Sequence, residues 1–119
     1  MDPIVIDAAS ATPPYEQVRA QLAGQITAGT LVVGTRLPTV RGLAGDLGLA
    51  VNTVARSYRQ LEEAGLVETR GRAGTVVSSA GVHALDVAEA AARRYAETVR
   101  GVGLDREQSL QIVRTALEA

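Results

Sequence analysis

The sequence predicts a mostly α-helical chain in which three short helices are closed by a β-hairpin and followed by two further helices. Three observations carry that prediction. Apolar residues recur at three- and four-residue spacing through five separate stretches. Glycines stand just past the first three of these, at Gly29, Gly48 and Gly65, where helices commonly end. Only "LVETRGRAGTVV", residues 66–77, reads as two β-type runs around a glycine-containing turn.

The first element follows a short apolar run, "IVID", and a Ser/Thr/Pro stretch that ends at Pro13-Pro14. A proline pair presets the φ of a helix start, and Thr12 before it is expected to cap the free amides. From Tyr15 onward Val18, Leu22 and Ile26 form one buried stripe. The second helix is announced by "LPTVRGLAGDLG", with Thr39 as the capping acceptor and Val40, Leu43, Ala44 and Leu47 facing inward. Gly48 ends it, and only Leu49 and Ala50 separate it from the next periodic stretch. A link that short makes two helices cross rather than lie side by side, as in a helix-turn-helix.

In the third helix, 51–64, Val51, Val54, Tyr58 and Leu61 fall on the expected inward side. At about 100° per residue Asn52 and Arg56 lie nearly opposite them, with Thr53 and Gln60 beside them. Tyr58 reads as a core aromatic, and Arg59 as the partner of Glu62 or Glu63 at helical spacing. In the hairpin, Arg70 and Arg72 sit at or beside the tip. After Ser78, Leu85, Ala88, Ala92, Tyr95, Val99 and Val102 step by three and four in a heptad-like seam with small residues in its middle, which lets another helix approach closely. Gly101 and Gly103 are expected to break this helix. Asp105 and Gln108 then form a capping box for a last helix whose expected inward set is Leu110, Val113 and Leu117.

Helix, helix, tight turn, helix and hairpin is the order of a winged helix-turn-helix, so the expected organisation is a winged helix-turn-helix DNA-binding domain over 1–78 and a two-helix dimerisation tail over 79–119. In such an arrangement the third helix is presented outward to a major groove. Asn pairs with the N6 and N7 edge of adenine, Arg with O6 and N7 of guanine, and Thr with a thymine methyl or a phosphate. Asn52 and Arg56, one turn apart, suit neighbouring base steps. The positive end of the second helix at Thr39, with Arg36 and Arg41 near it, suits backbone phosphates. Arg70 and Arg72 around Gly71 suit phosphate or a narrow minor groove.

Composition bounds the alternatives. At 119 residues with 46% hydrophobic and 21% charged residues, the chain fits one globular domain with a small appendage. There is no cysteine and one histidine, His83, which reads as a surface or helix-start residue. No metal-ligand spacing, phosphate-binding glycine loop or nucleophile elbow is present, so neither an enzyme nor a cofactor is expected. No apolar run nears the roughly 20 residues of a membrane span, and the amino terminus lacks a secretion signal, so the expected location is the cytoplasm. The formal net charge is −1, but residues 36–77 carry a net +2 while the flanks are negative. All twelve basic residues are arginine.

From Pro13 to Val77 the chain resembles the amino-terminal winged helix of GntR-family transcription regulators. The resemblance rests on the P-x-Y-x-Q start, the I-x-x-G-x-L link, "LPTVRGLA", "LGL", "NTV", "L-E-E-A-G-L-V" and the closing "GTVV". The short helical tail resembles the YtrA-like branch, where about two helices form a dimerisation unit. The resemblance implies a homodimer on an imperfect palindrome of double-stranded DNA, usually as a repressor. Carried over by position, Arg41, Asn52, Thr53, Gly71 and Arg72 look like DNA contacts and Thr39 like a phosphate anchor. The implied dimer seam is Leu85, Ala88, Ala92, Tyr95 and Val99, which packing on the last helix of its own chain would also explain. Ala50 stands where the family usually has Ser or Asn, Val51 replaces a usual Arg or Pro, Val33 a usual Pro and Val76 a usual aromatic. The other expectation is a winged helix used for protein–protein contacts, which the net negative charge favours. The sequence does not reveal a small-molecule effector: the tail alone is too short to enclose a pocket of several hundred cubic ångströms, though a dimer interface could.

Overall fold

A computed structural model describes residues 1–79 and 83–119, so residues 80–82 of the expected tail lie outside the described residues. The elements run α1 (Pro14–Thr27), α2 (Val40–Leu47), α3 (Val51–Glu63), β1 (Val67–Thr69), β2 (Thr75–Val77), α4 (Ala84–Gly101) and α5 (Arg106–Glu118). The chain divides into two units, Met1–Ala84 and Leu85–Ala119.

In the first unit the expected stripes meet in one core. Val18, Leu22 and Ile26 of α1 pack with Leu43 and Ala44 of α2, with Val54, Tyr58 and Leu61 of α3, and with Val67 and Val77 of the hairpin. Val40 and Leu47 pack at its edge. The inward face of α3 differs from the expected set at two positions. Val51 is 46% exposed, because it sits in the first helical turn, ahead of the point where α3 meets the core. Ser57 is fully buried instead. Its hydroxyl donates to the Tyr15 carbonyl at 2.7 Å and back to Thr53 O at 3.3 Å, which satisfies the polar group that burial would otherwise penalise.

Helix ends follow local chemistry. Thr39 accepts the Gly42 amide at 3.0 Å, and Gly48, at φ +66°, takes the left-handed conformation that lets the chain turn at once into α3. Ala50 offers α3 no side-chain cap. Thr12 is not the cap of α1: Pro13 holds that position without a side-chain bond, and the Thr12 carbonyl accepts Gln17 Nε2 at 2.8 Å.

That last contact belongs to a set the sequence did not suggest. The residues before α1 form an extended arm with Ile4 buried and Val5 exposed. Asp2, Val5 and Asp7 donate their amides to Oε1 of Gln25, Gln21 and Gln17 at 2.9, 2.9 and 2.8 Å. Each side chain returns a bond from Nε2 to the carbonyl of the same arm residue, at 3.0, 2.7 and 3.0 Å. Four helical residues rise about 6 Å and two extended residues about 6.6 Å. Gln17 and Gln21 therefore present amides at the spacing of Asp7 and Val5, two residues apart, while Gln25 reaches Asp2 across three, and each stands in for a neighbouring strand's peptide group.

The hairpin pairs Val67 with Val77, Glu68 with Val76 and Thr69 with Thr75, antiparallel. Arg36 forms a single bridge to Val76 on its other side, with Leu37 N–H to Thr75 O at 2.8 Å and Val77 N–H to Thr35 O at 2.9 Å. The link between α1 and α2 is thereby tied to the base of the wing.

In the second unit the capping box forms as expected, with Gln108 N–H to Asp105 Oδ1 at 2.8 Å and Asp105 N–H to Gln108 Oε1 at 3.1 Å. Gly101 is the last residue of α4 rather than its breaker; Gly103, at φ +79°, makes the turn. Val102 falls beyond α4 and is exposed. The expected inward set of α5 is open to solvent: Leu110 is 40%, Val113 36% and Leu117 80% exposed. Neither helix contains a buried residue, since one helix leaning on another covers only part of an apolar stripe.

Tyr58 makes the core pH-sensitive. Its hydroxyl donates to Pro38 O at 2.7 Å, and burial pushes its pKa up to about 12. A raised folded-state value means the neutral hydroxyl contributes stability that is full below the unfolded value near 10 and is lost as pH climbs through about 12. Urea midpoints compared at about pH 9 and about pH 11 should fall more steeply for the native chain than for Tyr58→Phe. At neutral pH that substitution should cost about 1 kcal/mol, because the Pro38 carbonyl loses its partner. Parallel pH profiles for the two proteins would contradict this assignment.

Candidate nucleic-acid interface

The burial of Val54, Ser57, Tyr58 and Leu61 fixes which side of α3 faces out. Asn52 and Arg56 are exposed and Thr53 is half-buried. Together with Arg59 and Tyr15 they line one shallow polar cleft. The structure thus brings together three residues chosen from the sequence and adds two that were not. Arg59 is the correction. Among the described residues the ion pairs are Glu16–Arg19 and Glu68–Arg70, so Arg59 has neither Glu62 nor Glu63 as partner. A solvent-exposed pair on a helix gains little, so spacing alone does not commit Arg59 to either glutamate, and it lies with the cleft instead.

Tyr15 is the other addition. The Arg56 guanidinium carbon sits 3.7 Å from the centroid of its ring, inside the range of cation–π attraction. Tyr15 opens α1 while Arg56 lies in α3, so no local pattern in the sequence links them.

The remaining residues occupy two other places. Thr39 and Arg41 lie on the first turn of α2, both exposed, with the Thr39 hydroxyl committed to the Gly42 amide. A Cβ at position 42 would come within 2.9 Å of that hydroxyl oxygen, so glycine leaves the cap its room. At the wing, Gly71–Ala73 form a single 3-10 turn between the strands, with Arg72 exposed upon it. Arg70 is exposed but bonded to Glu68 within the wing, which leaves Arg72 as the tip's uncommitted cation among the described residues. Arg36 reaches the wing from the opposite side. Its Nε lies 3.2 Å from where a Cβ on Gly74 would stand, and Gly74 has φ +74°. Any other residue there would meet both a strained backbone and the guanidinium.

The seam residues of the second unit divide. Leu85, Ala88 and Ala92 are exposed on α4, whereas Tyr95 and Val99 are half-buried. The Tyr95 hydroxyl donates to Ser109 O of α5 at 2.6 Å. A groove of about 380 Å³ runs between the two helices, lined by Ala92, Tyr95, Val99, Leu110 and Val113 among others. His83 is exposed just ahead of α4. Among the described residues no group of three or more His, Cys, Asp or Glu is placed to hold a metal ion, and no helix is long and apolar enough to cross a membrane.

Comparison with known proteins bears on this surface. The description of bacterial regulatory proteins of the gntR family matches residues 14–77, from the start of α1 to the end of β2. The HTH-type transcriptional regulator Rv1152 of Mycobacterium tuberculosis is 47% identical over 107 residues, covering 89% of this chain and 87% of that protein. The HTH-type transcriptional repressor YtrA of Bacillus subtilis is 43% identical over 76 residues, which span 63% of this chain and 58% of the repressor. Among solved structures, YtrA from Sulfolobus acidocaldarius, described as a GntR-family transcription factor, superposes with a TM-score of 0.61 at 33% identity. That match covers 78% of this chain and 97% of the other.

The bare start of α3 generates a test of how the helix is set. Ala50 is exposed and extended, at φ −64° and ψ 145°, the geometry of a capping residue without the capping oxygen. Ala50→Ser should raise stability by about 1 kcal/mol in a denaturant titration, by satisfying an amide of the first turn. An unchanged or lowered midpoint would mean that α3 does not begin there.

Proposed function

Because the chain belongs to the gntR family of bacterial regulatory proteins, we propose that this DNA-binding transcriptional regulator acts as a homodimeric repressor on an imperfect palindrome. Helix α3 enters the major groove, and Asn52, Thr53 and Arg56 read base edges there. Thr39 and Arg41 at the start of α2, with Arg36, meet phosphates of the flanking backbone, and the wing at 70–74 lies along the duplex with Arg72 foremost. The repressor sense follows the description of the Bacillus relative. The reading assigns the chain no catalytic step and no cofactor, and places it in the cytoplasm with the DNA it regulates.

The observation that carries this reading is the polarity of α3: a sealed apolar and hydroxyl face against the core, and on the other side an amide, a hydroxyl and two guanidinium groups sharing one cleft. The charge distribution agrees. A local net +2 over 36–77 within a chain of net −1 concentrates attraction for a polyanion on the winged-helix unit. Support for the homodimer comes from the tail, where Leu85, Val87, Leu110, Ile112 and Leu117 remain exposed on helices that bury no residue between them. A second copy covers such a surface, and two weak half-site contacts then combine through effective concentration.

The test uses a duplex that the full-length chain selects from a random pool, with an unrelated duplex as control, across a salt series. Selected DNA should bind more tightly, as two chains per duplex by sedimentation. Asn52→Ala and Arg56→Ala should each cost about 1–3 kcal/mol on the selected duplex only. Weak, equal binding to every duplex would overturn the reading in favour of a protein–protein module.

A further inference from the structure

Tyr15 has no place in the DNA-contacting set proposed above, yet it touches α3 twice. Its backbone carbonyl accepts the buried Ser57 hydroxyl at 2.7 Å, across 42 positions of sequence. Its ring face receives the neighbouring side chain, with Arg56 Cζ 3.7 Å from the centroid. Consecutive residues of α3 are therefore held by one residue of α1, the first by the ring and the second by the backbone. The ring itself has little freedom. It is half-buried and follows Pro13 and Pro14 at the helix start, where φ is fixed. Among the described residues Arg56 has no carboxylate partner, since both ion pairs lie at other arginines. The aromatic face is what holds it.

An arginine free in water loses much rotamer freedom when it docks on a base, and a side chain already held loses less. We propose that Tyr15 is a positioning residue for DNA readout: its ring holds the Arg56 guanidinium on the outward face of α3, beside Asn52 and Thr53, before DNA arrives. The proposal rests on the reading of α3 as the element that enters the groove. The ring face and not the hydroxyl does the holding, so phenylalanine should serve in its place.

The experiment compares the native full-length chain with Tyr15→Phe and Tyr15→Leu, each with and without Arg56→Ala. The probes are the duplex the native chain selects from a random pool, its single-base-pair variants and an unrelated duplex. In Tyr15→Leu, discrimination at one base pair should fall about tenfold, the size expected of a lost contact of this kind, with binding to the unrelated duplex unchanged. Tyr15→Phe should keep the discrimination, and Tyr15→Leu should add no further loss once Arg56 is alanine. A DNA-free signal runs in parallel: the Arg56 Nε–H proton resonance should be shifted upfield by the ring in the native chain and Tyr15→Phe, and return to the ordinary arginine position in Tyr15→Leu. Uniform loss on all duplexes, a loss that persists in the Arg56→Ala background, a Phe variant as impaired as Leu, or an Arg56 resonance that ignores Tyr15 would each overturn the proposal. A native chain with no sequence preference overturns the reading of α3 and the proposal together, whereas native preference that Tyr15→Leu leaves intact overturns the proposal alone.

Discussion

The polar surface of the winged-helix unit depends on how α3 is seated. A helix has one rotational setting once its buried face is fixed, and here Val54, Ser57, Tyr58 and Leu61 fix it. Two of the four are held by directional bonds as well as by packing: Ser57 to the Tyr15 carbonyl on α1, and Tyr58 to the Pro38 carbonyl ahead of α2. Packing alone tolerates small rotations, whereas a buried hydroxyl that loses its acceptor carries an unsatisfied polar group. The two bonds therefore tie α3 to the start of α1 and to the segment just ahead of α2. The presentation of Asn52, Arg56 and Arg59 follows.

The rest of the winged-helix unit supplies a frame of a different kind, built by letting side chains and loops complete backbone pairing. Gln17, Gln21 and Gln25 act as peptide groups for the arm ahead of α1. Residues 34–37 complete the pairing of β2 on the side away from β1. Arg36 and Glu68 each engage the wing's own groups, the first against Gly74 and the second with Arg70. Of the arginines in this region Arg36, Arg41, Arg59 and Arg72 keep their charge uncommitted to a carboxylate or a ring among the described residues. That is where a phosphate backbone finds attraction without first displacing an internal partner.

Much of this was legible in the order of residues, because helix starts, stops and apolar periods are local signals. Thr39 capping α2, Gly48 turning the chain, the α1 stripe and the Asp105–Gln108 box all read directly. The misses share a cause. Ser57 looks polar and is buried because its acceptor comes from another helix. Val51 looks apolar and is exposed because the first turn of α3 precedes the core. The glutamine pairs and the Tyr15–Arg56 stack join side chains to groups far along the chain, which no periodicity reports. Arg59 was assigned a neighbour by spacing alone, though spacing permits a pair without making it favourable. The α5 stripe is apolar as its period indicates, yet within a single chain it stays open, since cover depends on what the helix meets.

The central claim is that the outward face of α3 lies in a major groove, with a second copy of the chain on the adjoining half-site. Dimethyl sulfate protection on a selected duplex tests it most directly, because guanine N7 opens to the major groove and adenine N3 to the minor groove. The account predicts guanine N7 protection in two symmetric blocks whose centres lie about 10 base pairs, or a multiple of that, apart. A tightly bound duplex whose guanine N7 atoms stay reactive throughout would contradict it.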